Sequence, residues 1–244
     1  MSRALNADAP VNQSVERAVR LLGFFSAETP ELTLAQLTDR LGTSRATTHR
    51  YTLALRRVGL LRFDSATGMC SLGPRIVELA ATALAGLRIL RIAGPHMERL
   101  SDEVNETVVL SIWDGESPVV VRVDDSSDRL VRIGVRTGTR LPRATSAQGK
   151  VFLAFGPHAN ELDAPEREEI LRTRVAINSE VDDGIRAIAA PIFQEREITA
   201  AMAVVGTITS LPEEPDSTIA AHLRATAEAL SAELGFLSDE LSAR

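Results

Sequence analysis

The N-terminal third of the chain is a series of short apolar repeats at helical spacing, separated by turn residues. The segment SVERAVRLLGFF predicts a first helix capped by Ser14, with a buried stripe formed by Val15, Ala18, Val19 and Leu22. After Pro30, the segment TLAQLTDRLG predicts a second, short helix. Thr33 and Gln36 match a capping box at its start, and Gly42 is the expected stop.

The segment SRATTHRYTLALRRVG predicts a third helix that begins after Ser44 and ends at Gly59. Only three residues separate its start from the second helix, and two short helices joined by such a Gly-containing turn form a helix-turn-helix. The stripe expected to pack on the first two helices contains Thr48, Tyr51, Leu55 and Val58. The rest of this helix carries four arginines and no acid, whereas an ordinary surface helix mixes both signs of charge.

A β-hairpin is predicted directly behind the third helix, with strands at 60–63 and 69–72 and a turn at 65–68. A hairpin in this place is the wing of a winged helix. Arg62 is its expected phosphate partner. Cys70 lies in the returning strand, where a small buried apolar residue is favoured over a redox-sensitive thiol.

The segment PRIVELAATALAGL, residues 74–87, predicts a helix that is apolar around most of its circumference, with Glu78 as its only acid. Such a helix needs cover on several sides, which the same helix of a second subunit would supply. We therefore predict a linker helix over 75–93. Gly94 and Pro95 are expected to end it, and a further helix is expected over 96–104.

The period of the apolar pattern changes to two from Glu106 onward, which indicates strands. Two antiparallel hairpins are predicted, with strands at 108–112, 119–123, 187–193 and 200–206. Helices are predicted at 146–155, 165–172 and 215–237. The second half is thus predicted to be an α+β domain with an antiparallel sheet.

Composition is ordinary for a globular protein: 244 residues, 44% of them apolar and 25% charged, with room for two domains. A single cysteine excludes an internal disulfide, and no signal peptide or membrane-spanning run is recognised, so we expect a cytoplasmic protein without membrane attachment. The net charge of −6 is unevenly distributed. Residues 1–75 have ten arginines against six acids, and residues 76–244 have 17 basic residues against 27 acids.

The basic N-terminal module suggests approach to a polyanion, because no acid occurs between Asp39 and Asp64. In a helix-turn-helix, the exposed N-terminal face of the second helix of the motif lies in the DNA major groove. Arg45 can reach guanine O6 and N7, whereas the assignment of the others to base edges or phosphates stays open. The candidate DNA contacts are Ser44, Arg45, Thr47, His49, Arg50 and Arg62. The alternative for each is an ordinary solvent-exposed side chain.

Signals for catalysis are absent from the sequence. The four histidines have no metal-ligand spacing, and neither a dinucleotide fingerprint nor a P-loop occurs, so no cofactor, metal or catalytic residue is predicted. Ser146 and Lys150 are four residues apart, not the three of a penicillin-binding motif, and Lys150 is interpreted as an exposed or capping lysine. The remaining alternative is a winged helix that binds proteins, which the acid-free arginine cluster disfavours.

In order, SVERAVRLLGFF, LTLAQLTDRLG, SRATTHRYTLALRRVGLL and TGMCSLGPRIVELA resemble the winged-helix domain of the IclR family of bacterial transcription regulators. LRIAGPHMERLSDEVNETVVLSIWDG, RLPRATSAQGKVFLAF and GIRAIAAPIF are similar to that family's effector-binding domain. The resemblance implies a dimer or a dimer of dimers that binds palindromic operators, and a GAF-like C-terminal domain that binds a small organic acid.

An effector site is indicated at Ser146, because small residues at a helix start leave backbone N–H groups for an anion. The resemblance extends this pocket to Ala147, Gln148, Asn178, Ile185, Ala187, Ala203 and Val205. The alternative is that the strand residues among them are simply core. The family often has cysteine at the position of Ala187 and polar residues at the last two, so an aromatic or longer-chain acid is favoured here.

The segment before Gly184 is shorter than is usual in the family, and Thr173 and Arg174 replace an expected glycine–aromatic pair. Either the pocket is more open than in relatives, or effector control is weakened. The predicted organisation is a disordered arm at 1–13, a winged helix-turn-helix at 14–74, a linker helix at 75–93 and an effector-binding domain at 94–244. The predicted function is a ligand-responsive regulator of metabolic genes, acting as a repressor.

Overall fold

The structure, a computed structural model, describes residues 12–125, 134–178 and 184–236. The chain divides into two compact units, Met1–Gly86 and Leu87–Arg244, so the division lies seven residues before the predicted boundary at 93/94. The predicted N-terminal arm lies, except for its last two residues, outside the described residues. No helix in the described ranges combines the length and the hydropathy that crossing a membrane requires.

The first unit is a winged helix-turn-helix, as predicted. Its elements are α1 (Gln13–Leu22), β1 (Glu31–Thr33), α2 (Leu34–Leu41), α3 (Arg45–Arg57), β2 (Leu61–Phe63), β3 (Met69–Leu72) and α4 (Pro74–Gly86). The three strands form an antiparallel sheet in the order β1-β3-β2. Strand β1 was not predicted, because three residues are too few to show a period. It forms because buried Leu32 pairs with buried Cys70 of β3.

The core of the first unit is formed by Leu21, Leu32, Leu37, Leu41, Leu55, Leu61 and Cys70. Two predictions for α1 were wrong. Asn12, not Ser14, is the N-cap, and its side-chain oxygen accepts the Ser14 N–H. The buried side chain is Leu21, whereas Val15 and Val19 are exposed. The apolar residues of α1 form overlapping stripes, and only packing against α2 and α3 selects one of them.

The linker region consists of two helices, α4 and α5 (Arg88–Val104), separated at Leu87 by one extended residue. The predicted break at Gly94 and Pro95 was wrong, because both residues lie inside α5. Pro95 costs the helix one backbone hydrogen bond, and the free energy gained by packing the buried face of α5 outweighs that loss. Gly94 instead makes room for a neighbouring strand, since a Cβ there would lie 2.9 Å from Nη1 of Arg122.

The second unit is an α+β domain, as predicted. After α5 come β4 (Thr107–Trp113), β5 (Pro118–Asp124), α6 (Ala147–Phe155), a 3-10 turn (Ala159–Glu161), α7 (Ala164–Thr173), β6 (Ala176–Ile177), β7 (Ile185–Gln194), β8 (Glu197–Thr207) and α8 (Thr218–Glu233). The 3-10 turn and β6 were not predicted. The last helix begins at Thr218 with Ser217 as its cap, three residues later than predicted.

The sheet of the second unit has the strand order β5-β4-β8-β7-β6, and every pairing is antiparallel. Successive residues along a strand point to opposite faces of the sheet. On one face, Val108, Ile188 and Met202 pack with α5 and α8. On the other face, Val109 and Ala203 pack with α6 and α7. The sheet is therefore covered on both sides by helices.

Candidate functional site

The turn between α2 and α3 is fixed by capping hydrogen bonds at both helices. Thr33 and Gln36 form the predicted capping box: the Thr33 hydroxyl accepts the Gln36 N–H, and the Gln36 side chain accepts the Thr33 N–H. Gly42 ends α2 in the left-handed conformation, with φ of 66°, which glycine adopts without steric cost. Ser44 then caps α3 by accepting the Thr47 N–H. These contacts hold α3 at a defined angle to α2.

The side of α3 that packs against the rest of the first unit is partly polar. Thr48, Thr52 and Leu55 are buried, and the Thr48 hydroxyl is 2.9 Å from that of Thr43 in the turn. The predicted buried stripe was wrong at Val58, which is exposed, because α3 ends before it and Thr52 takes the inward position. Tyr51 is half-buried, and its hydroxyl is linked to the side chain of Ser14 in α1, which lowers the pKa of Tyr51.

The outward side of α3 carries Arg45, His49 and Arg50, all of which are exposed. Within residues 12–125, no carboxylate lies within 4.0 Å of the guanidinium group of Arg45 or Arg50. Thr47 is half-buried, and its hydroxyl accepts a hydrogen bond from the Ser44 hydroxyl at 3.0 Å. Ser44 and Thr47 are thus engaged within the cap, whereas the two arginines and His49 point their polar groups to solvent.

The hairpin of β2 and β3 lies directly after α3. Arg62 on β2 is exposed, as a phosphate contact requires, and Arg56 of α3 lies over the ring of Phe63, 4.6 Å from its centroid. In the turn, the Ala66 N–H donates to the carboxylate of Asp64, and this bond lowers the pKa of Asp64. Cys70 is buried as predicted, and burial raises the pKa of its thiol. The wing is therefore anchored to α3 by a cation–π contact that the sequence did not reveal.

The second unit contains a cavity of about 330 Å³ between the N-terminus of α6 and the face of the sheet that packs on α6. Its walls are Val109, Val135, Leu141, Pro142, Thr145, Ser146, Ala147, Gln148, Asn178, Ile185, Ala187 and Val205. None of these lining side chains is ionisable. Of the predicted effector contacts, only Ala203 does not line this cavity. It is fully buried beneath it, opposite Val109 on the neighbouring strand.

The N-terminus of α6 supplies the polar end of this cavity. The Ser146 hydroxyl accepts the Gly149 N–H, and the Ser146 carbonyl accepts the Lys150 N–H. The N–H groups of Ala147 and Gln148 precede this first helical hydrogen bond, and both residues line the cavity. These N–H groups form the positive end of the helix dipole, which favours a negatively charged group at this place.

Two side-chain amides in the wall already have partners. Asn178 accepts the Ala187 N–H and donates to the Ile185 carbonyl, so it extends the pairing of β6 with β7 beyond the last strand residue. Gln148 donates to the hydroxyl of buried Ser111 at 3.3 Å. The amide of Asn178 is thus primarily a structural element of the cavity wall. The side-chain oxygen of Gln148, by contrast, takes no part in its bond to Ser111.

Gly149 brings the loop before α6 close to the helix. A Cβ on this residue would lie 2.1 Å from the carbonyl oxygen of Arg143, a distance that real Cβ atoms do not adopt. Any side chain at this position would push the loop that contains Pro142 away from α6. Because Leu141, Pro142, Thr145 and Ser146 of this loop line the cavity, Gly149 affects its shape.

Lys150 is buried, not exposed as the sequence suggested. Its ammonium group donates to the carbonyl of Ile177 at 2.9 Å and forms an ion pair with Glu166 of α7. The lysine therefore ties α6 to α7 and β6, behind the cavity. No local pattern predicts this ion pair, because Glu166 lies sixteen residues further along and only the fold brings it near.

Two of the three histidines of the second unit connect α5 with α8. His96 of α5 lies 2.8 Å from Glu233 of α8, and His222 of α8 lies 3.3 Å from Glu103 of α5. These pairs join the two helices at both ends. Among the described residues, no three His, Cys, Asp or Glu side chains come together in a way that would hold a metal ion.

A winged helix-turn-helix with an acid-free arginine face, joined to an α+β unit with a cavity beside α6, defines a class of DNA-binding transcription regulators. Two family models match the chain: the IclR helix-turn-helix domain over residues 14–65, and the bacterial transcriptional regulator IclR C-terminal domain over residues 81–175 and 165–232. The chain therefore belongs to the IclR family. This family consists of transcription regulators, in agreement with the prediction that the chain is not an enzyme.

The relatives cover nearly the whole chain. The DNA-binding transcriptional repressor YiaJ of Escherichia coli (strain K12) is 26% identical over 95% of this chain and 92% of its own length. The HTH-type transcriptional regulator KipR of Bacillus subtilis (strain 168) is 30% identical over 80% of this chain and 86% of its own. An IclR homologue from Microbacterium hydrocarbonoxydans, solved in complex with 4-hydroxybenzoate, has a TM-score of 0.72 at 24% identity, covering 91% of this chain and 99% of that one. This last likeness concerns the fold.

Proposed function

We propose that this regulator acts in the cytoplasm as a repressor of metabolic genes, reading a palindromic operator with α3 and responding to an organic acid bound in the cavity beside α6. The observation that carries the proposal is the cavity itself. Its described lining residues are uncharged and mostly apolar, and Ala147 and Gln148 at the N-terminus of α6 line one end of it. Such a site suits a ligand with one anionic end and an apolar body.

Operator reading is assigned to the exposed N-terminal face of α3. Arg45 lies in the first turn of α3, where recognition helices contact base edges, and a bidentate arginine–guanine contact is the commonest specific one. Arg50 and His49 complete the face. Whether each of them contacts a base edge or a phosphate stays open. Ser44 and Thr47 orient the helix start, and Arg62 of the wing is assigned to the adjacent phosphate backbone.

The ligand class follows from the size and charge of the cavity. Because none of the described lining side chains is cationic, a ligand with two or more negative charges would be poorly compensated. A volume of about 330 Å³ leaves a two- or three-carbon acid loosely held, and apolar Ile185, Ala187 and Val205 suit a ring or an alkyl chain. The 4-hydroxybenzoate held by the homologue from Microbacterium hydrocarbonoxydans is a ligand of this class. We therefore infer an aromatic or longer-chain monocarboxylate.

We infer that α4 pairs with the same helix of a second copy, giving a homodimer or a dimer of dimers. No residue of α4 is buried, yet its sequence is mostly apolar, and Val77 is 71% and Leu79 52% exposed. An apolar helix that stays uncovered in water is costly. A two-fold pair of winged helices also matches the symmetry of a palindromic operator. Acid binding would then change the relative placement of the two winged helices, which sets the fit to the half-sites.

The experiment measures binding of the full chain to its own upstream DNA and to random duplex, across a salt series, with and without 4-hydroxybenzoate. We expect a sequence-preferring complex that weakens steeply with salt, and a changed operator affinity when the acid is present. Equal affinity for both duplexes would contradict operator reading and favour a protein-binding winged helix. Unchanged operator affinity, with acid binding seen by calorimetry, would contradict effector control.

Dimerisation is tested separately by sedimentation of Val77→Asp. We expect this variant to shift toward monomer, because an aspartate in the pair would be buried without a partner. Val58→Asp is the matched control, since Val58 is an exposed valine of the same unit outside α4. A dimer that survives Val77→Asp, or that Val58→Asp disrupts equally, would place the interface elsewhere.

A further inference from the structure

A second cavity, of about 360 Å³, lies in the second unit where α8 passes the end of β7, and it shares no lining residue with the cavity beside α6. Its walls are Arg174, Ala190, Pro191, Phe193, Arg224, Ala227, Glu228, Ser231, Ala232 and Phe236. We propose that this cavity is a second ligand site, which binds an aromatic monocarboxylate. The proposal does not rest on the function assigned to the first cavity.

Two arginines from different elements face this cavity. Arg174 follows the end of α7 in the left-handed conformation, with φ of 55°, and its N–H donates to the Ile170 carbonyl. Arg224 lies on α8, and its Nη1 donates to the Thr173 carbonyl at 3.0 Å. That bond fixes Arg224 next to Arg174 and uses one of the five donors of its guanidinium group.

Neither arginine is neutralised. In residues 134–178 and 184–236, no carboxylate oxygen lies within 4.0 Å of either guanidinium group. Both groups are partly shielded from water, since Arg174 and Arg224 are half-buried. Two cations that share one cavity, with the Glu228 carboxylate more than 4.0 Å from both, favour an anion between them. The bidentate geometry of guanidinium groups matches a carboxylate.

An aromatic wall stands beside these cations. The rings of Phe193 and Phe236 are stacked with centroids 5.0 Å apart, and the guanidinium carbon of Arg174 lies 5.9 Å from the Phe193 centroid. Phe155 packs edge-on against the other side of Phe193 at 5.3 Å and fixes its ring. Ala190 and Ala227 form an apolar floor. A carboxylate at the arginines therefore places an attached ring against phenylalanine.

The remaining polar groups limit the charge of the ligand. Glu228 is exposed at the rim, so the ionisable lining side chains carry one net positive charge, which suits a monoanion better than a phosphate ester. The Ser231 hydroxyl donates to the Ala227 carbonyl at 2.7 Å and accepts the Phe193 N–H at 3.0 Å. It therefore serves the fold, and recognition depends on the arginines and the rings.

The test uses 4-fluorobenzoate as the probe, with binding to the full chain followed by calorimetry and by its fluorine resonance. Ala187→Trp fills the first cavity and is expected to leave one equivalent bound. Adding Arg224→Gln to that variant is expected to weaken the remaining site at least tenfold, and Arg174→Asn should do the same, since asparagine tolerates positive φ. Arg172→Gln, an exposed arginine of α7 outside the cavity, is the control and should change nothing.

A substitution that is expected to strengthen binding of the probe completes the test. Glu228→Gln removes the rim carboxylate and is expected to tighten probe binding about threefold, because like-charge repulsion is lost. No binding to Ala187→Trp, or unchanged binding in both arginine variants, would overturn the second site while leaving the first intact. One equivalent that Ala187→Trp leaves unaltered and Arg224→Gln removes would instead support the second site and contradict the first.

Discussion

The two proposed recognition surfaces of this protein differ in exposure and in charge. The face of α3 is exposed and charged, and within residues 12–125 no carboxylate pairs with Arg45 or Arg50. The cavity beside α6 is a partly open pocket, and none of its described lining side chains is ionisable. Long-range attraction between arginines and phosphates draws a polyanion and is screened by salt. In the proposed effector site, shape and the backbone N–H groups at the start of α6 would select a small acid, with little dependence on salt.

The difference implies that each surface is vulnerable to a different kind of substitution. A change of charge should damage α3 and leave the cavity unaffected, whereas a change of volume should do the reverse. Four substitutions test this contrast, in order of the size of the expected effect.

Ala187→Trp should abolish the response to acid and leave operator binding without acid unchanged. An indole at this position fills the cavity, and we expect acid affinity there to fall by about a hundredfold or more, equivalent to about 2.7 kcal/mol. The measurement is operator affinity with and without 4-hydroxybenzoate. Ala221→Trp, at an exposed position of α8, should retain the response. An acid response that persists in Ala187→Trp would show that this cavity is not the effector site.

Arg45→Ala should weaken operator binding by about tenfold to a hundredfold, because a specific base contact contributes about 1–3 kcal/mol. Sequence preference should fall as well. Anisotropy titrations on operator and random duplex, each at several salt concentrations, measure both. Arg20→Ala removes an exposed arginine of α1 and should leave sequence preference intact. Equal losses of affinity for the two duplexes would indicate that Arg45 contacts a phosphate and not a base edge.

Gly149→Ala should destabilise the second unit by about 1–3 kcal/mol and weaken acid binding. The added methyl group collides with the Arg143 carbonyl, which lies 2.1 Å from a Cβ at this position, so the loop beside the cavity must move. Denaturant unfolding and calorimetry report the two effects. Gly86→Ala, where a Cβ meets no atom within 4 Å, is the control and should be nearly neutral. Full stability in Gly149→Ala would show that the loop yields without cost.

Ser44→Ala should have the smallest effect, a loss of about 1 kcal/mol in the stability of the first unit, because the Thr47 N–H loses its acceptor. Operator affinity should fall less than in Arg45→Ala. Thermal unfolding and operator titration compare it with Ser65→Ala, an exposed serine of the wing turn. A loss as large as that of Arg45→Ala would indicate that the Ser44 hydroxyl itself contacts DNA.

Local signals predicted the first unit well. The capping box at Thr33 and the cap at Ser44 were recognised because each involves residues three apart, which the sequence places together. The wing strands followed from their alternation and turn. The buried faces of α1 and α3 were partly wrong, at Val15, Val19 and Val58, since periodicity alone does not state which neighbour a short helix meets.

The cavity beside α6 was predicted from two sources. Ser146 was predicted from the small residues at a helix start, and most of the other wall residues were predicted from the resemblance to the IclR family. The structure adds wall residues such as Val109, Val135 and Leu141, from a strand and a loop distant in sequence. Ala203 is the predicted contact that does not line this cavity, because its side chain lies in the packed core below it.

The sequence by itself determined the order of elements, the helix ends marked by caps, and the uneven charge that marks the first unit as a partner for a polyanion. These properties depend on neighbours along the chain. Tertiary structure decided the continuity of α5 through Pro95, the burial of Lys150 against Glu166, and the meeting of Arg174 with Arg224 at the second cavity. Each of these depends on free energy gained between segments far apart in sequence, which only the folded chain brings into contact.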